Sequence, residues 1–319
     1  MEAEMADVAN VPLLNAVEVT KRFPIKSTGL IRRVSGHVTV VKGISLDVQR
    51  GETLGIVGES GSGKTTLVRC LLRAINPSAG SILYESRQMG KVDLALLTPR
   101  ELKPLRTEMQ MIFQDPFASL NPRMTVEDII GEGLLIHGQR DRKKRRVEVA
   151  WMLEKVGMET EHMSRYPYAF SGGQRQRIGI ARALVMRPQL VVADEAVSAL
   201  DVSVQAQVIN LLKELQESLQ LTYLFVAHDL SVVRHICDRV AVMYLGELVE
   251  TGPVERVYTN PIHPYTRALL SAIPSLDPDK PLAPVHSGEV GDRDRFAGLD
   301  IRPVRHFPDG SIERLEETA

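Results

Sequence analysis

The run Gly58-Glu59-Ser60-Gly61-Ser62-Gly63-Lys64-Thr65-Thr66 fits the pattern G-x-x-x-x-G-K-[ST]. Its residue types suit one chemistry, the binding of a phosphate chain. Gly58, Gly61 and Gly63 let the backbone take positive φ and approach an oxyanion closely. Successive N–H groups then point inward, and the N-terminus of a following helix adds about half a positive charge. Lys64 would reach the β- and γ-phosphates, and the Thr65 hydroxyl would ligate Mg²⁺. The expected ligand is a nucleoside triphosphate.

Five more places carry chemistry. Ser171-Gly172-Gly173-Gln174 sets a serine and two glycines at a helix start, a second anion site by the same dipole argument. Asp194-Glu195 ends an apolar run, where two carboxylates suit metal handling and water activation. Gln114 follows the strand-like 109–113, and His228 follows 222–227; in a parallel α/β fold ligands bind at those strand ends. Taken alone, His228 reads better as a satisfied core histidine than as a γ-phosphate contact. Phe23 offers either a face for an adenine ring or an ordinary core aromatic.

These residues need strands that end at them and helices that leave them. Residues 53–57 read as a buried strand entering the glycine-rich loop, and 65–75 as the helix leaving it. Before them come alternating strands at 16–20, 38–41 and 44–48, with Lys26, Arg32 and Arg33 in an exposed loop or hairpin tip over 26–36. Short strands are expected at 81–84, 109–113, 190–193 and 222–227, and a hairpin over 240–252 turning near Gly246. From Thr125 to about Pro167 the chain turns helical, with a capping box at Thr125–Asp128. An amphipathic helix spans 201–219, with Val204, Val208, Leu211, Leu212, Leu215 and Leu219 on one face. The basic run 140–146 lacks aromatics and reads as a solvated helix start rather than a nucleic-acid patch. Beyond Asn260 one short helix is expected near 265–272, and 275–319 read as loose or as a small appended element.

Composition narrows the function classes. The 319 residues carry a net charge of −1, are 44% hydrophobic and 25% charged, and show no global attraction to nucleic acid or an anionic membrane. No apolar run approaches the ~18 residues of a spanning helix, and the acidic start lacks a signal peptide's features. Cys70 and Cys237 stand far apart and form no metal-ligand pair; Cys70, on the helix behind the phosphate loop, reads as a buried free thiol, compatible with a reducing cytoplasm.

Together these parts resemble the nucleotide-binding subunit of an ABC (ATP-binding cassette) transporter, over about residues 13–258. Phe23, the phosphate loop, Gln114, Ser171-Gly172-Gly173-Gln174, Asp194-Glu195, Ser198-Ala199-Leu200-Asp201 and His228 occur in that family's order. A narrower resemblance is to the oligopeptide/dipeptide permease branch. It rests on 113–122, Phe-Gln-Asp-Pro-Phe-Ala-Ser-Leu-Asn-Pro, on 260–270, Asn-Pro-Ile-His-Pro-Tyr-Thr-Arg-Ala-Leu-Leu, and on the long connection 26–36.

The resemblance implies an α/β fold: an ABC-type P-loop ATPase core with an antiparallel β subdomain and an inserted α-helical subdomain. The ATPase domain would span 12–258, its helical subdomain about 117–180, and a permease-type extension 259–319. It implies ATP and Mg²⁺, with Thr65, Gln114 and Asp194 at the metal, Glu195 polarising water, Gln114 and His228 sensing the γ-phosphate, and Phe23 stacking on adenine. Ser171 and Gly173 would serve ATP held by a second cassette subunit, and Gly172, Gln174 and Asp201 count with them among the nucleotide-binding residues; a heterodimer is favoured, with a homodimer as the alternative. Two membrane-spanning permease subunits and, indirectly, an extracytoplasmic binding protein complete the implied importer, with this chain on the cytoplasmic side of the membrane. A soluble ABC ATPase acting on nucleic acid or ribosomes is the alternative; the single cassette without heptads argues against it. Two departures stand out. Many branch members carry a C-terminal cysteine cluster resembling an iron–sulfur site, whereas no cysteine follows Cys237, and Ala196 stands where the family usually has proline.

Overall fold

The computed structural model describes residues 11–26, 34–272, 302–309 and 311–315. In chain order the elements are β1 (Leu14–Lys26), β2 (Val34–Val48), β3 (Thr53–Val57), α1 (Lys64–Leu71), β4 (Ala79–Ser86), β5 (Gly90–Asp93), α2 (Pro99–Leu105) and β6 (Met109–Ile112). The helical part follows: α3 (Pro116–Ser119), α4 (Val126–Ile136), α5 (Arg142–Lys155) and α6 (Gly172–Leu184). Then come β7 (Leu190–Asp194), α7 (Val202–Leu219), β8 (Thr222–Ala227), α8 (Leu230–Ile236), β9 (Arg239–Tyr244), β10 (Glu247–Pro253), α9 (Val254–Thr259), α10 (Pro264–Ser271), β11 (Val304–His306) and β12 (Ile312–Arg314).

The strands form an antiparallel four-stranded sheet, β2-β1-β4-β5, and an eight-stranded sheet, β12-β11-β10-β9-β3-β8-β7-β6. In the larger sheet β6, β7, β8, β3 and β9 run parallel, so their carboxyl ends share one edge. That shared edge is where Gln114, Glu195, His228 and the glycine-rich loop emerge. The parallel strands are apolar without interruption because both faces are covered. On β8, Tyr223, Phe225 and Ala227 enter the core shared with the inserted helices, while Leu224 and Val226 enter the core beneath α1 and the smaller sheet. On β7, Val191 and Ala193 face the first core and Leu190 and Val192 the second.

Several expectations change on inspection. The strands expected at 38–41 and 44–48 are one strand, β2, with pairing irregularities near Gly43, whose φ is 59°. β1 runs on through Phe23 and Pro24 to Lys26. Beyond Thr20 it pairs only with β2, so the N–H that Pro24 lacks is missing from an edge. α1 stops at Leu71, short of Ile75, because Arg73 turns left-handed (φ 53°) and its guanidinium bonds the carbonyls of Leu94 and Leu97. Thr125 caps α4 through the Asp128 N–H, yet the Asp128 carboxylate takes the Thr125 hydroxyl rather than closing a reciprocal box. Asp is one methylene shorter than the Glu or Gln such a box uses. Expectations for 1–10, 27–33 and most of 275–319 lie outside the described residues. Within the last stretch, β11 pairs in parallel with β10 and β12 with β11, so residues far along the chain add strands to the edge of the larger sheet.

Candidate functional site

The loop from Gly58 to Gly63 is shaped by what stands behind it. Gly58 has φ 147°, and a Cβ there would lie 2.1 Å from the Met243 carbonyl oxygen; at Gly63 (φ 102°) it would lie 2.7 Å from that of Val40. Only glycine fits either place. The cleft in front of the loop has a volume of about 220 Å³ and is bounded by Val40, Ser60, Lys64, Thr65 and Glu195. Lys64 is buried, and its Nζ donates to the carbonyls of Gly58 (2.7 Å) and Glu59 (2.8 Å). Burial lowers its pKa, an effect opposed by the charges of Glu195, Asp194 and Glu59. Ser62 Oγ is buried without a hydrogen-bond partner. A glycine cradle, a buried ammonium and an orphaned hydroxyl suit a triphosphate.

β7 delivers Asp194 beneath the loop, where the Thr65 hydroxyl donates to Asp194 Oδ1 at 3.0 Å. Burial raises the Asp194 pKa, and the neighbouring Glu195 charge adds to the rise. A hydroxyl and a carboxylate oxygen side by side are the hard donors that Mg²⁺ prefers. Glu195 follows in the left-handed region (φ 49°), and its N–H donates to the Val226 carbonyl of β8. For a side chain with a Cβ that conformation costs energy, and the neighbouring strand holds it there. Gln114 Nε2 donates to Glu195 Oε2 at 2.7 Å, and His228 Nδ1 lies 3.6 Å from the same oxygen. Three residues from three strand ends thus meet at one carboxylate. Ala196 beside it is buried.

The Ser171–Gln174 stretch lies elsewhere. Ser171 caps α6 in a reciprocal box with Gln174, and Gly172 and Gly173 lie against Leu200 and Val204. Asp201 is exposed and caps α7 by position, without a side-chain capping bond. No described residue of this group borders the cleft before the phosphate loop. Arg175 lies over the Phe117 ring at 4.2 Å, and Arg182 donates to the Ser119 carbonyl and lies over Phe113 at 5.6 Å. α6 is therefore fastened to the segment that carries Gln114. Phe23 is half-buried on β1 opposite Val38, with the Lys21 ammonium 4.9 Å from its ring; it does not border the cleft, whereas Val40 does.

One contact escaped sequence reasoning. The Tyr265 hydroxyl, from α10, accepts the Glu59 N–H at 2.9 Å. The run His263-Pro264-Tyr265 was visible, but nothing in spacing ties it to a loop 206 residues away.

Two protein-family models match the chain: ABC transporter over residues 41–198, and oligopeptide/dipeptide transporter, C-terminal region, over 249–298. The oligopeptide transport ATP-binding protein AppF of Bacillus subtilis is 53% identical over 263 residues, 82% of this chain and 78% of that protein. OppF of the same species, also named an oligopeptide transport ATP-binding protein, is 55% identical over 245 residues, 76% and 79% of the two chains. The glutathione import ATP-binding protein GsiA of Escherichia coli is 50% identical over 269 residues; this chain spans 42% of its length. Among solved structures, cbiO1 of Clostridium perfringens, part of an ABC transporter complex, aligns with a TM-score of 0.66 at 27% identity, covering 78% of this chain and 91% of that one. A dimeric ATP-binding cassette in a post-hydrolysis state, bound to ADP and phosphate, aligns with a TM-score of 0.64 at 27% identity over 76% and 98% of the two chains.

Proposed function

The chain belongs to the ATP-binding subunits of ABC transporters, in their oligopeptide/dipeptide-type branch, and from that premise we propose that it energises the import of peptides through partner permeases. The observation that carries the peptide reading is the C-terminal match at 249–298 beside the likeness to AppF and OppF. ATP is the fuel, and hydrolysis is the family's activity.

The site supports a division of labour. Lys64, the loop amides and Ser62 hold the phosphates, while Thr65 and Asp194 would hold Mg²⁺, which when bound neutralises charge on the β- and γ-phosphates. Glu195 accepts a proton from the attacking water and orients it, with Gln114 and His228 fixing the carboxylate and reporting the γ-phosphate. Ser171, Gly173 and Asp201 act across a dimer interface on the nucleotide of a second cassette subunit, because they do not border the cleft of their own chain. ATP then joins the two subunits, and its hydrolysis lets them part.

The permease contact falls on a groove of about 660 Å³ between α1, β6, α4 and α6, with Arg69, Arg106, Phe113, Glu132, Ile136 and Arg182 on its walls. Phe113 and Ile136 on these walls are large apolar side chains left exposed. An amphipathic cytoplasmic helix of a membrane subunit fits such a groove. On this reading the chain works at the cytoplasmic face of a membrane, docked on its permease partners; no helix among the described residues is long and apolar enough to cross one.

The test is gentle detergent extraction of native membranes, purification through a tag on this chain, and mass spectrometry of what accompanies it. Two multi-spanning proteins, with or without a second cassette subunit of different sequence, are expected. Recovery only in the soluble fraction, alone or with ribosomes or DNA, would overturn the transport reading.

A further inference from the structure

We propose that Tyr265 is a positioning residue for the phosphate loop, acting through the Gly58–Glu59 peptide on Lys64. The argument begins with one planar unit. The carbonyl of Gly58 and the N–H of Glu59 belong to the same peptide, so they point in opposite directions and rotate together. The carbonyl accepts from Lys64 Nζ at 2.7 Å; the N–H donates to the Tyr265 hydroxyl at 2.9 Å. The peptide is thus clamped on both sides. Glycine on one flank, at φ 147°, supplies no steric restraint of its own, so the two hydrogen bonds set the orientation. Turning this plane moves the oxygen that holds the ammonium, and with it the charge offered to the phosphates.

Tyr265 can do this because it is itself held. Its side chain is buried, and its ring stacks on Tyr244 with centroids 4.2 Å apart. Its backbone N–H donates to His263 Nδ1, the cap of α10. The N–H groups of Ile262 and His263 donate to the two carboxylate oxygens of Glu250, at 2.9 and 3.0 Å. Glu250 is 1% exposed, and its Oε1 also meets His306 Nε2 of β11 at 2.6 Å. A continuous set of buried and part-buried bonds therefore runs from the added strand β11, through Glu250 and α10, to the first turn of the phosphate loop. The chain beyond the cassette thereby sets the loop's shape.

Tyr265→Phe removes the hydroxyl and keeps the stacking. In the full chain, calorimetric titration should show ATP and ADP dissociation constants raised about 3- to 10-fold, the loss of one ordinary hydrogen bond. KM for ATP should rise likewise with kcat within about two-fold, because bound triphosphate restores the loop's orientation before chemistry. Tyr84→Phe is the comparison. Its hydroxyl accepts from Gln189 in another part of the core, so that variant should lower the unfolding midpoint and leave KM and both dissociation constants alone. Should Tyr265→Phe not fold, Glu250→Gln loosens the same anchor and should raise KM in the same sense. Unchanged nucleotide affinity in a folded Tyr265→Phe or Glu250→Gln chain, or an equal change in Tyr84→Phe, would overturn the proposal. A wild-type chain that binds no ATP would instead overturn the premise on which it rests.

Discussion

Oε2 of Glu195 receives the side-chain amide of Gln114 at 2.7 Å and faces His228 Nδ1 at 3.6 Å, so the carboxylate assigned to water activation is oriented from two neighbouring strand ends. The orientation is supported from below as well, since the left-handed Glu195 backbone is pinned by the Val226 carbonyl. A base must be aimed before it can be effective.

Glu195→Gln keeps the shape and an acceptor for Gln114 but cannot take a proton from water. Phosphate release should slow at least about 100-fold while ATP affinity stays within a few-fold. Near-normal turnover would remove Glu195 from the role of base.

Asp194 is held at a cost to the nucleotide-free fold. Burial raises its folded pKa above the unfolded value, so ionising it destabilises the fold. The raised value means that stability falls as pH climbs from the unfolded pKa, near 3.9, through the folded one, and the deficit then stays constant. Asp194→Asn removes the charge while keeping an acceptor for the Thr65 hydroxyl. Its unfolding midpoint should exceed wild type at neutral pH, with the gap closing toward pH 4, and hydrolysis should fail. Equal midpoints across that range would show that Asp194 carries no such penalty.

What the sequence disclosed and what it withheld divide along the range of the interactions. The phosphate loop, the strand ending at Asp194 and the amphipathic helix of 201–219 are local patterns, and the last forms as Val202–Leu219. α2 was missed although Thr98 and Glu101 form a full capping box, because the helix is only 7 residues long and contains Pro104. The Tyr265–Glu59 bond was beyond reach for a different reason. It depends on β10, α10 and β11 folding back over the loop, and no local periodicity encodes such a register. Placing Gly58 in the loop was possible from the motif; finding the Met243 carbonyl that makes it obligatory was not.

Gly173 tests whether the second anion-binding stretch is set by packing. Alanine there would gain roughly 1 kcal/mol of helix propensity. Its Cβ, however, would lie 2.5 Å from Val204 Cγ1 on α7, and a β-branched side chain has little rotamer freedom to move away. Overpacking at about 1–3 kcal/mol should win, so Gly173→Ala should lower the unfolding midpoint. In a Val204→Ala background the same change should become neutral or stabilising. Additive effects in the double variant would mean that the two residues are not in contact.

Arg239 lies at the other end of the central sheet, where its guanidinium meets Asp47 at 3.0 Å and Glu52 at 3.1 Å. Burial works to raise the pKa of both acids. At Glu52 it prevails, whereas at Asp47 the hydrogen bond and charge of Arg239 overcome it and the value is lowered. Arg239→Met would leave two carboxylates crowded together without the cation that bonds both, with only the charge of Arg305 still acting on Asp47. Removing one member of a buried ionic group costs about 3–5 kcal/mol, and the lower end applies here because the Asp47 side chain keeps 33% of its exposure. The remaining carboxylates are then easier to protonate, so the deficit relative to wild type should shrink as the solution is made acidic. Chemical denaturation at pH 7.5 and pH 5 measures both effects. ATP hydrolysis per folded molecule should be unchanged, since the cluster touches neither the phosphate loop nor Glu195; a fall in kcat without loss of stability would place Arg239 in the catalytic machinery instead.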